Sequence, residues 1–200
     1  MKALEGNGAG LVREIALAGR VQAALERLYR LDRAAAVDDF VSAAEEGERE
    51  TLFVREADGA LEMCLRLPQL AGGLDPVCQI IEGVSHFVYL AHRAARGRET
   101  TQLELELQAE VDKYVVLAAS VEDFDEIASR QLRERLYDAV SFAHGENTEL
   151  GERYRIANDY ARRFTARLER EYVSRARYEE LHVELRRFFH LGQSEKLRAA

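Results

Sequence analysis

The sequence predicts an α+β fold that is predominantly α: a helical lead-in, one small β-hairpin, then a bundle of four to five helices. Three observations carry that expectation. Apolar residues recur at helical spacing from Leu11 to Leu31 and again through most of the chain beyond residue 76. One stretch alone, residues 51–67, switches to period two. The only two prolines, Pro68 and Pro76, fall together just after it and mark a boundary.

The elements follow in order. Leu11, Ile15, Leu17, Val21, Leu25, Leu28 and Leu31 keep one face of an amphipathic helix, and a second, short helix is expected to start near Asp38 or Asp39. In "TLFVREADGALEMCLRLP", Leu52 and Val54 alternate on one arm and Leu61, Met63, Leu65 and Leu67 on the other. Asp58-Gly59 lies between them, where Gly can take the positive φ of a tight turn. The arms should pair antiparallel from Thr51 to Ala57 and from Ala60 to Leu67. A two-stranded hairpin alone is barely stable in water, so its leucine face should be covered by the next helix. "QLAGGLDP" reads as a loop. Helices are then expected over Val77 to Ala95 and Gln102 to Ala119, joined by "RGRETT". Another runs from "EDFDE", whose acids suit a helix N-terminus, to about Ala143. After "HGENT", a further helix puts Tyr154, Ala157, Tyr160, Ala161, Phe164, Leu168 and Tyr172 on one face; "YEELHVELRRFFHL" closes the fold, and the last eight residues should fray.

Composition narrows the function classes. A net charge of -8 with 47% hydrophobic residues fits an ordinary globular chain. No apolar run approaches the roughly 20 residues a bilayer demands, and the first 20 residues lack a signal peptide's apolar core, so a cytoplasmic protein without membrane contact is expected. Two cysteines, Cys64 and Cys78, without a CxxC spacing read as packed thiols. Residues 151–200 hold 8 acids against 12 Lys and Arg, whereas the chain as a whole has 36 against 28. Because the tail's arginines alternate with glutamates, paired helix faces explain them, and nucleic acid is not an expected partner. A protein partner or self-association is, through docking of the basic tail on an acidic partner or on the acidic body of a second copy.

The chemistry-bearing stretch is "IIEGVSHFVYLAH". Glu82 and His86, four apart, share a helix face; on the next helix Glu106 and Glu110 do the same. If "RGRETT" folds the two helices antiparallel, the pairs converge, and one imidazole with three carboxylates suits Zn, Mn or Fe. The competing reading is a packed core histidine among Phe87, Val88 and Tyr89. Either way His86 should be buried and its helix packed on the Gln102 to Ala119 helix. Other motifs are weaker. Glu179-x-x-His182 occurs once, where di-iron bundles use the pattern twice, and Ser85 lacks a nucleophile elbow.

The order of a helical lead-in, a hairpin, a helix with "EGVSH" and a helix with "QAEVDKYV" resembles the ImmA/IrrE-type zincin-like metallopeptidases over roughly residues 38–118. Laid on that family's His-Glu-x-x-His, the first His becomes Glu82, the catalytic Glu becomes Gly83, and the last His is kept as His86. "VDKYV" matches part of the second motif with Gln108 at the third ligand's place; shifting the match restores Glu106 but loses Tyr114. Length and element order give one domain over 1–200, with a helical lead-in at 1–47 and a C-terminal helical part at 121–200, and the resemblance makes the part between them, 48–120, a zincin-like core. A glycine cannot move a proton, so the expected function is a non-enzymatic helical scaffold or adaptor, a pseudo-peptidase in which Glu82 and His86 serve each other and no cofactor is needed. The alternative is a metal-dependent hydrolase with a divalent metal at a noncanonical Glu/His site.

Overall fold

The structure, a computed structural model, describes residues 11–32, 35–57, 60–142 and 144–200. Helix α1, Val12–Tyr29, ends at Arg30 in the left-handed region and leads through a 3-10 turn, Val37–Phe40, into strand β1, Val41–Ala43. Strands β2, Thr51–Ala57, and β3, Ala60–Leu67, pair antiparallel with Thr51 opposite Arg66 and Val54 opposite Met63. These are the arms read from the period-two pattern; the Asp58-Gly59 turn and the Leu61 side chain lie outside the described residues. The third strand is new. β1 pairs parallel to β3, Val41 opposite Leu65, so the sheet order is β1-β3-β2. Residues expected to start a short helix near Asp38 make only the 3-10 turn before the chain extends.

Helix α2, Asp75–Ala94, starts with Pro76 in its first turn, where the missing N–H costs nothing, and ends before Gly97, whose φ of +60 turns the chain. Helix α3, Gln102–Ala118, is capped by Thr101, whose side chain accepts from the Glu104 N–H at 3.1 Å. Asp125 caps α4, Glu126–Arg133, and Thr148 caps α5, Glu149–Glu171, in the same way. Where one helix to Ala143 was expected, α4 gives way to a π-helical turn, Glu134–Asp138. The wider turn drops Leu136 and Tyr137 into the core, where Tyr137 donates to the Glu110 carbonyl and receives a bond from Asn158 on its own carbonyl. Helices α6, Tyr178–His190, and α7, Gln193–Ala199, complete the chain.

The core lies between these helices and one face of the sheet. Leu65 and Leu67 of β3 are fully buried against α2, as the hairpin's leucine face required. On α5, Ala157, Ala161, Phe164 and Leu168 are buried in the predicted stripe. Helices α2 and α3 run antiparallel, since contacts pair Tyr89 with Glu104, His86 with Glu106, Ser85 with Asp112 and Glu82 with Lys113. The expected fraying of the last eight residues does not hold. α7 plants Lys196, 0% exposed, in the core, donating to Gln108 Oε1 and the Phe188 carbonyl under the rings of Tyr89 and Phe188.

Gly83 is the contact point of sheet and helix. A Cβ there would stand 2.8 Å from Leu65 Cδ1 and 3.4 Å from Leu67 Cδ2. Gly83→Ala should therefore lose the usual helix-propensity gain of about 1 kcal/mol to overpacking. Gly83→Glu, which writes the zincin-type carboxylate into the helix, should unfold the protein instead of activating it, read as loss of the cooperative urea transition. A stably folded Gly83→Glu variant would contradict this packing.

Candidate metal centre

The antiparallel packing of α2 and α3 brings three of the four predicted residues to one place. Single ligand atoms of Glu82, His86 and Glu106 all lie within 4.8 Å of one another. His86 Nε2 stands 3.5 Å from Glu106 Oε2, with the imidazole 14% exposed and the carboxylate 8%. That nitrogen is buried and makes no hydrogen bond. Burial acts to lower the His86 pKa, but the adjacent Glu106, reinforced by Glu82, outweighs it and the net shift is upward. Glu82 and His86 thus do not simply serve each other: the nearest partner of His86 is Glu106.

Glu82 is held by a residue that sequence reasoning passed over. Lys113 Nζ donates to Glu82 Oε2 at 3.2 Å and to Glu110 Oε1 at 2.7 Å, all three side chains being buried. Glu110, the fourth predicted residue, is therefore on Lys113 and outside the tight group. Burial acts to raise Glu82, yet the Lys113 charge and then His86 bring it below the ordinary carboxylate value. Glu110 goes the other way: burial raises it further than Lys113 lowers it. Burial opposes the Lys113 ammonium, but Glu110 and Glu82 hold it well above its usual pKa.

A second residue missed from sequence is Glu50, in the segment entering β2. Its side chain is 6% exposed, its Cγ lies 3.6 Å from the position of a Cβ on residue 83, and its Oε2 accepts no hydrogen bond. Arg49 Nε is 3.8 Å from that oxygen, too far to donate to it. Burial, then the neighbouring Glu82 charge, pushes Glu50 up to about 9. On the far side, Arg153 Nε approaches Glu106 Oε1 to 3.8 Å.

A cleft of about 330 Å³ reaches Glu82, Glu110 and Lys113 from the surface, with Arg49, Arg135 and Tyr154 among its walls. Cys78 also lines it, but burial pushes its thiol up to about 11, so it is no nucleophile at neutral pH. Cys64 and Cys78 are both free. Ser85 donates to Asp112 Oδ2 at 2.6 Å, in a buried network with Tyr29 and Gln108. No family model, no curated protein and no solved structure matches the chain. Among the described residues, no helix is long and apolar enough to cross a membrane.

Proposed function

We propose that the protein is a non-enzymatic helical scaffold whose interior takes one divalent cation between α2 and α3, with Glu82, His86 and Glu106 as ligands. The observation that carries this reading is His86 Nε2, a buried nitrogen whose one close polar neighbour is Glu106 Oε2 at a long 3.5 Å, facing carboxylates from two helices. Buried polar atoms are normally satisfied. An imidazole with carboxylates suits Zn, Mn or Fe in preference to a thiolate-seeking ion. When bound, the ion supplies a fixed positive charge that ties α2 to α3, and its binding free energy adds to folding. Glu82 is ionised for this role by Lys113, which also holds Glu110 out of the way.

The non-enzymatic part rests on the missing proton acceptor: residue 83 has no side chain and faces β3. An adaptor role is supported by β2, an edge strand that exposes Phe53 and Val54, which fits a protein partner or a second copy. A metal-dependent hydrolase is the second reading, favoured by the cleft that opens onto Glu82. Thermal melts in EDTA and in rising Zn²⁺ or Mn²⁺ decide the matter. At about 100 times Kd the ion should add roughly 2.7 kcal/mol to the stability, a rise of several degrees. His86→Ala should erase that response. Absence of any shift in the wild type would sink the cation reading, and metal-dependent cleavage lost in His86→Ala would establish the hydrolase.

A further inference from the structure

We propose that Glu50 is the fourth ligand of the cation site, completing a set of one imidazole and three carboxylates drawn from three elements. The inference rests on the cation reading above and adds a residue from the segment entering β2.

Three observations converge on it. First, the segment is fastened to α2 one turn before the site: the Glu50 N–H donates to Gln79 Oε1 at 3.3 Å, and Gln79 Nε2 donates to Asp75 Oδ2 at 2.6 Å. Second, the side chain runs over Gly83, which lies next to Glu82 and one turn before His86, so the absent side chain at 83 is what admits a carboxyl to this face. Third, the carboxyl is almost wholly buried and its Oε2 accepts no hydrogen bond, a costly arrangement for a polar atom. The hydrogen bonds of Lys113 go to Glu82 and Glu110. The strongest charges acting on Glu50 are Glu82 and Arg49, and Arg49 is itself drawn to Asp75 at 3.7 Å.

Two carboxyl groups brought together inside a protein form an arrangement that a hard divalent cation can bridge. Glu50 stands outside the 4.8 Å group, so it joins by turning about its own side-chain bonds toward Glu82 when the ion arrives. Glu110, the carboxylate that spacing alone favours, lies outside the same group and holds the shorter of the two Lys113 bonds, 2.7 Å against 3.2 Å for Glu82.

Calorimetric titration of the full chain with Mn²⁺ tests this, comparing wild type, Glu50→Gln, Glu50→Asp and Glu110→Gln. Glu50→Gln keeps the shape of the side chain and should melt within a few degrees of wild type without metal, yet bind Mn²⁺ at least about tenfold more weakly. Glu50→Asp should retain part of that affinity, and Glu110→Gln should lose less than Glu50→Gln. Glu50→Gln binding as tightly as wild type would overturn the fourth-ligand assignment and leave the three-residue site standing. If wild type itself takes up no Mn²⁺ or Zn²⁺, both the assignment and the cation reading fall. Should Glu50→Gln not fold, Glu50→Asp binding no more weakly than wild type but Glu110→Gln losing the ion would overturn it equally.

Discussion

Replacing Lys113 by methionine should cost roughly 3–5 kcal/mol of stability, the loss typical when one partner of a buried ion pair is removed. Lys113 is 8% exposed and is the hydrogen-bonding cation of both Glu82 and Glu110. Without it, two buried carboxylates lose the cation that hydrogen-bonds both of them. The folded-state pKa of Lys113 is raised, so its contribution is complete below the unfolded value near 10.4 and disappears only at higher pH. At neutral pH the whole effect is present. Urea denaturation of Lys113→Met measures it, and a cycle with Glu82→Gln identifies its source. In the Glu82→Gln background the same replacement should cost clearly less, because one of the stranded charges is gone. A loss below about 1 kcal/mol, or strict additivity, would show that the three charges are not a unit.

The second large effect belongs to Lys196. Burial pushes its pKa down to about 7, opposed by Asp112 and Glu104 and assisted by Arg93, while Gln108 and the Phe188 carbonyl accept its hydrogen bonds and Tyr89 lies against it. Between pH 7 and about 10 the unfolded chain holds a proton on this lysine that the native state lacks, so Lys196 makes stability rise with pH in that window. Glu50 acts in the opposite direction: raised to about 9, it keeps a proton in the native state that the unfolded chain has lost above pH 4.5 or so. The two trends overlap, and comparison with Lys196→Met separates them. From pH 7.5 to 9.5 the stability difference between wild type and Lys196→Met should move in favour of wild type by on the order of 2 kcal/mol. A difference that stays flat across this range would mean that Lys196 keeps its proton in the fold.

Why some of this was legible in the sequence and some was not follows from the range of each interaction. The hairpin was read to the residue because its signal is local, two period-two arms around Asp-Gly. Strand β1 was missed because three residues, Val41–Ala43, carry no period, and its parallel pairing with β3 is set by distant chain. The convergence of Glu82, His86 and Glu106 was accessible from four-residue spacing plus one assumption, that "RGRETT" reverses the chain. Lys113 and Glu50 were not. Inside "VDKYV" a lysine looks like a solvent-facing residue, and "GERET" looks like a turn; only packing turns both inward. Lys196 is hidden for the same reason, since "SEKLRAA" at a chain end has the composition of a fraying tail, yet it fills a core position. Gly83 shows the reverse case. Read against a metallopeptidase pattern it is a lost base, while in the fold it is the residue that lets β3 and Glu50 approach α2.

The cation site is tested most directly by locating the ion. Crystals grown or soaked with Mn²⁺ or Zn²⁺, measured for anomalous scattering, should show one strong peak per chain among Glu82, His86 and Glu106, at about 2.0–2.2 Å from the imidazole nitrogen and the carboxylate oxygens if the ion is zinc, and no such peak in His86→Ala. No anomalous peak at these three residues in the wild type, at ion concentrations that saturate surface sites, would contradict the account.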